Sequence, residues 1–179
     1  MHLPLLVGWG AGFAAACHPA PASRDVQSAP AWRTAACDTP PATFRRTTRA
    51  LSPAGRDSLL RDVQARRAAW RARHVADYRL RVAETCFCPG SPPAVLEVRN
   101  GNPVAALDTA GRSASQLLAR WSAYTVEGLF DVIERTARSG EVLEVSYDAC
   151  LGYPTAIKGN MRQVDSWFEI GAGPLTQPR

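Results

Sequence analysis

The spacing of apolar residues picks out the elements of this chain. Leu59, Val63 and Trp70 recur at helical spacing, with Leu60 beside them. Arg56, Arg61, Arg66, Arg67, Arg71 and Arg73 cover much of the remaining circumference. This predicts an amphipathic helix with a narrow apolar seam and a basic exterior. Ser52-Pro53 supplies a cap and a first-turn proline at its start, and it should end near Ala76. Tyr78, Leu80 and Val82 then alternate with Arg79 and Arg81, the pattern of a half-buried strand. The segment 95–99 and the segment 104–107 flank Asn100-Gly101, the pair a tight type I′ hairpin turn requires. Pro103 restricts the second of these strands to an edge or a strand start.

A second helix is predicted from Thr125 to Gly140. Val126, Leu129, Phe130, Ile133 and Ala137 form its apolar face, Glu127 and Asp131 lie toward its start, and Arg135 and Arg138 toward its end. Leu143, Val145 and Tyr147 alternate in another strand. Weaker strands follow around 155–158 and 164–170, separated by Gly159-Asn160. The order is helix, three strands, helix, three strands. It defines an α+β fold: one small domain, mainly antiparallel sheet, with two amphipathic helices packed on one face.

The N-terminus changes the picture. Residues 3–16 (LPLLVGWGAGFAAA) are apolar, and fourteen residues are too few for a spanning helix, which takes about 20. They suit the apolar region of a secretory signal. Ala14-Ala15-Ala16-Cys17 resembles a bacterial lipobox, with Ala14 where a Leu is usual and Cys17 as the lipidated residue; a cleaved secretory signal is the alternative. From His18 to Thr43 the composition is Pro, Ala, Ser and Thr, that of a tether. The predicted organisation is therefore a signal segment at 1–16, a tether at 17–50, an α+β domain at 51–172 and a C-terminal tail at 173–179.

Composition is globular, 46% hydrophobic and 21% charged. The net charge of +5 is concentrated, with eleven arginines against three aspartates between residues 45 and 81. Lys158 is the sole lysine, a bias we ascribe to coding before phosphate recognition. In an exported protein such a helix meets no nucleic acid, and a solvated basic face is the first expectation. A membrane surface or a wall polymer is the second.

Several motifs occur in a telling order. Trp70 and Tyr78 precede Thr85-Cys86-Phe87-Cys88-Pro89 and Asn100-Gly101. Residues 124–133 (YTVEGLFDVI) follow, then Tyr147-Asp148 and Gly152-Tyr153-Pro154-Thr155. Together they resemble a bacterial envelope family catalogued as a domain of unknown function, number 6174, over about residues 66–170. The resemblance implies a lipoprotein or secreted protein and carries no activity.

No constellation for catalysis stands out. His74 is the one histidine of the domain and is expected to be a partly buried packing residue at the end of the basic helix. The acid pairs Glu141/Glu144 and Asp131/Glu134 read as solvated charge. Asp148, with Gly152, Tyr153 and Pro154, reads as a structural turn in which the Asp bonds backbone N–H groups. We expect no catalytic residue, no metal site and no cofactor.

The cysteines then decide between staple, metal and redox centre. A closed zinc site needs four ligands, and beside Cys86-x-Cys88 only Cys37, Cys150 and His74 are available. In an oxidising compartment, removing Cys17 leaves four cysteines and three pairings. Cysteines at i and i+2 of a regular strand lie near the limit of disulfide reach, about 6.8 Å, so an 86–88 bond needs the strand to break, as Pro89-Gly90 allows. Relative to the family pattern, Cys37 and Cys150 are additions. The resemblance thus implies that they pair with each other and leave Cys86 with Cys88. The expected protein is an envelope lipoprotein with a disulfide-stapled, non-enzymatic binding or structural domain. It would be held at the membrane by its lipid, facing an envelope protein or polymer. The alternative is a periplasmic thiol-redox or metal-handling protein using Cys86 and Cys88.

Overall fold

Alternation along the strands creates the inner face of one sheet. The computed structural model describes residues 44–48 (backbone), 52–86, 91–139, 143–159 and 167–178. Its strands are β1 (Phe44–Thr48), β2 (Tyr78–Cys86), β3 (Ala94–Arg99), β4 (Asn102–Leu107), β5 (Leu143–Tyr147), β6 (Pro154–Gly159) and β7 (Phe168–Ala172). They form a seven-stranded sheet in the order β1-β5-β6-β7-β2-β3-β4, antiparallel throughout. Tyr78, Leu80 and Val82 face inward opposite Val98, Leu96 and Ala94. Val145, Ile157 and Ile170 continue that face across β5, β6 and β7. All nine are buried.

Three helices and a 3-10 turn cover this face: α1 (Pro53–Arg71), α2 (Ser115–Trp121), the turn Ser122–Tyr124, and α3 (Val126–Arg138). Helix α3 packs on β5 and β6, α2 on β3 and β4, and α1 lies against α3. Ser52 caps α1, its Oγ accepting from the Gly55 N–H at 3.1 Å, with Pro53 at the first position. Thr125 caps α3 in the same way through Gly128 N–H. The predicted seams are buried: Leu59, Val63 and Trp70 on α1, and Val126, Leu129, Phe130, Ile133 and Ala137 on α3. Each large apolar side chain so buried contributes about 1.5–3 kcal/mol.

The α+β class and the one-sided helical layer are as the pattern predicts, with differences at the margins. Helix α1 ends at Arg71, before the expected Ala76. Asn100 and Gly101 both take positive φ, 50° and 76°, so the hairpin turn is the one anticipated, and Pro103 sits on the edge strand β4. Helix α2 was not anticipated. Nor was β1, which falls inside the predicted tether and pairs with β5 from Phe44↔Tyr147 to Thr48↔Leu143. The ordered fold therefore starts before residue 51. It also runs past 172, because Gly173 N–H donates to Arg81 O and Thr176 exchanges two backbone hydrogen bonds with Arg79, burying Leu175. Gly140, Glu141 and residues 160–166, with the start of the predicted 164–170 strand, lie outside the described residues; residues 168–170 of that strand are seen as part of β7.

Candidate functional site

The motif residues converge at one end of the helical layer. Trp70, last buried residue of α1, meets Tyr78 edge-on at 5.9 Å between ring centroids and Tyr153 at 6.0 Å. The Tyr78 hydroxyl accepts the Val126 N–H at 3.0 Å, holding the first turn of α3. Burial pushes the Tyr78 phenol up to about 12, well above its ordinary 10.0. Tyr153 donates its hydroxyl to Gly173 O at 2.9 Å, tying the C-terminal extension to the same cluster.

Gly128 has a steric reason. A Cβ there would lie 1.8 Å from the carbonyl oxygen of Ala123, so the 3-10 turn and α3 meet only over a glycine.

The β5–β6 turn closes the cluster from the other side. Asp148 Oδ1 accepts the N–H groups of Cys150 (3.0 Å) and Leu151 (2.6 Å). Asp148 N–H donates to Tyr153 O, Gly152 N–H donates to Asp148 O, and Gly152 takes φ 75°. Pro154 opens β6 opposite Tyr147, where the register shifts. Asp148, Gly152, Tyr153 and Pro154 are thus one structural unit. Arg73 fastens it to the end of α1 by donating to Cys150 O at 2.7 Å.

His74 is not the packing residue expected. It lies beyond α1, is exposed, and has φ 52°, a conformation uncommon outside glycine and one that ends the helix here. It stands between two shallow concavities. One, of about 360 Å³, includes Asp77 and Arg99; the other, of about 240 Å³, includes Trp70, Arg71 and Glu127. Asp77 Oδ1 accepts Asn100 N–H at 2.7 Å, bracing the loop against the hairpin.

The basic face of α1 also differs from expectation. Arg67, with 15% of its side chain exposed, bonds Glu134 at 2.9 Å, Glu127 O at 2.8 Å and the Asp131 carboxylate, and pairs with the Glu127 carboxylate at 3.2 Å. Arg71 forks onto Glu127 at 3.0 and 2.9 Å, and Arg138 reaches Glu134 at 2.8 Å. Glu134 is therefore buried, not solvated charge, while Asp131 keeps 54% of its side chain exposed; both bond Arg67 and hold α3 against α1. The spacing signal was present: acids at 127, 131 and 134 share a face of α3, and Arg67 and Arg71 share one of α1.

At the other end of the sheet Glu84 is bound by Arg120 and lies 3.5 Å from the Tyr124 hydroxyl; Arg120 also donates to Ser91 Oγ at 3.1 Å. Burial first, and then the Glu84 charge, raise the Tyr124 phenol above its ordinary value. Cys86 ends β2 here, whereas Cys150 lies in the β5–β6 turn. Both are disulfide-bonded. Cys17, Cys37 and Cys88 lie outside the described residues. Among the described residues no group of three or more His, Cys, Asp or Glu could hold a metal ion, and no helix is long and apolar enough to cross a membrane.

Fold and site together define a single α+β domain whose aromatic, Asp and Gly motif residues knit helices to a sheet. The chain belongs to the family of unknown function DUF6174, whose model matches residues 62–163, more than half of its length. No curated protein and no solved structure matches it.

Proposed function

We propose that this is a lipid-anchored protein of the bacterial cell envelope whose domain binds or supports a partner instead of turning over a substrate. The observation that carries the reading is how the motif side chains are used. The Tyr78, Thr125 and Tyr153 hydroxyls and the Asp148 carboxylate are engaged with backbone groups. A catalytic motif presents such atoms to a cleft. The anchor is Cys17, and the partner is an envelope protein or polymer, with no nucleic acid involved.

Two disulfides, 37–150 and 86–88, fit this location, since such bonds persist in oxidising compartments. Sheet register supports that pairing. Cys86, Phe168, Gly159 and Leu143 line up across β2, β7, β6 and β5, and Tyr147 is four residues further along β5. Three strand spacings and that length put Cys86 on the order of 20 Å from the β5–β6 turn. Cys88 is at most about 7 Å from Cys86 along the chain. Neither suits a bond to Cys150, which needs Cα atoms within about 6.8 Å. Strand β1, by contrast, starts beside Tyr147, seven residues after Cys37.

Non-reducing mass spectrometry of the protein from its native membrane fraction, with free thiols trapped, tests the reading. Acylated Cys17 with 37–150 and 86–88 peptides is expected; an unprocessed Met1 with free Cys86 and Cys88 would overturn it. The thiol-redox alternative predicts that Cys88→Ser abolishes reductase activity, whereas a staple predicts lost stability, about 2–5 kcal/mol.

A further inference from the structure

Among the described residues the outer face of the sheet carries no helix, and two of its charge rows are matched across strands. Arg79 donates to Glu97 at 2.9 and 2.7 Å, and Arg99 joins the same carboxylate at 3.0 Å. Toward the other end Lys158 pairs with Glu169 at 3.2 Å. Arg81 stands apart. Its cross-strand neighbour is Val95, followed by Leu107, and on its other side lies Gly173. It is exposed and has no side-chain hydrogen bond or ion pair among the described residues.

This row is also concave. Arg79, Arg81, Pro93, Val95, Leu107 and Asp108 line a basin of about 490 Å³. That volume falls within the range of about 300–1,000 Å³ usual for small-molecule sites. Asp108 does not oppose Arg81 as a free acid: its carboxylate accepts Ala110 N–H and Arg112 N–H and pairs with the Arg112 guanidinium. Glu97 serves two arginines, so the basin keeps a positive excess.

The geometry points to a binding site for a small amphipathic anion, its carboxylate or phosphate on Arg81 and its aliphatic stem along Val95 and Leu107. A guanidinium presents a planar fork of donors to such an oxyanion, and the two apolar side chains give a stem a surface to cover. The assignment rests on the binding reading above, and supplies the ligand class that reading lacks.

The test is an NMR titration of the full-length chain with octanoate, octyl phosphate and 1-octanol, repeated with Arg81→Ala, Arg81→Lys and Arg61→Ala. The expected result is amide shifts at Arg81, Val95 and Leu107 with either anion. Affinity should fall about tenfold or more in Arg81→Ala, hold better in Arg81→Lys, and be unchanged in Arg61→Ala on α1. Tighter octanoate would indicate a carboxylate source, and tighter octyl phosphate a phosphate one. Absence of shifts up to about 10 mM would overturn the site. So would equal binding of 1-octanol, or equal weakening by Arg61→Ala, which would reduce the effect to bulk charge. A negative titration leaves the anchor and disulfides to stand or fall by mass spectrometry.

Discussion

The two faces of the sheet solve different problems with the same strands. On the inner face Leu80, Val82, Leu96 and Val98 are inaccessible to solvent, and α2 and α3 close over the sheet. The Tyr78 hydroxyl admitted there is bound by the Val126 N–H, and the Arg67 network joins α1 to α3. On the outer face the side chains are partly exposed, charge is arranged in cross-strand rows, and one row is left with an unmatched cation. The inner face is where stability resides, and the outer face is where a ligand has access. The contrast predicts a graded response to substitution.

The largest effect belongs to the inner face. Phe130→Ala removes a fully buried ring from beneath the Arg67 guanidinium, 5.5 Å from its centroid. It should cost about 3–5 kcal/mol in urea unfolding, with Arg81→Ala within about 0.5 kcal/mol of the parent. Comparable losses would erase the distinction between the faces.

Next is the α1–α3 junction. Arg67→Ala leaves Glu127, Asp131 and Glu134 close together without their shared cation, and breaking a buried pair costs about 3–5 kcal/mol. The residual 15% exposure of Arg67 places the expectation at the low end. Melting in high salt checks it, because screening should recover part of the loss if acid–acid repulsion is the cause.

Gly128→Ala follows at about 1–3 kcal/mol. The clash is with the Ala123 carbonyl, a backbone atom that moves only with the 3-10 turn. Hydrogen exchange should rise first at residues 122–128. Unchanged exchange there would mean the turn yields freely and Gly128 is replaceable.

Much of this was legible from the pattern of residues, and the failures have physical causes. Helix α3, the Asn100-Gly101 hairpin and the β5–β6 turn announce themselves because caps, turn residues and periodicity agree locally. Helix α2 has seven residues and its N-cap, Ala114, makes no side-chain hydrogen bond, so it exists through its contacts with β3 and β4. Strand β1 (FRRTT) lacks apolar alternation and is held as a strand by pairing with β5. His74 was misjudged because the helix stops a turn early, which puts the side chain into solvent. The Arg67 network and the Arg81 basin depend on residues far apart in the chain, which spacing along one element cannot bring together.

The smallest effect is the one that separates the rows of the outer face. Glu97→Gln should cost about 1 kcal/mol near neutral pH, the upper range for a pair open to solvent on one side. Hydrogen bonds from Arg79, and then from Arg99, hold the Glu97 carboxyl below its ordinary value of 4.5. A depressed acid favours the folded state above the unfolded-state value, and that contribution disappears as pH falls through the lower folded-state value. The stability gap between parent and Glu97→Gln should therefore be constant from pH 7 to about 5 and close on further acidification. A gap that persists in strong acid would assign the loss to packing, and the row would no longer count as charge-matched. Arg81→Ala should show no such pH-dependent gap, since no carboxylate pairs with it among the described residues. The same pair of variants thus distinguishes a cation the fold uses from one it leaves available.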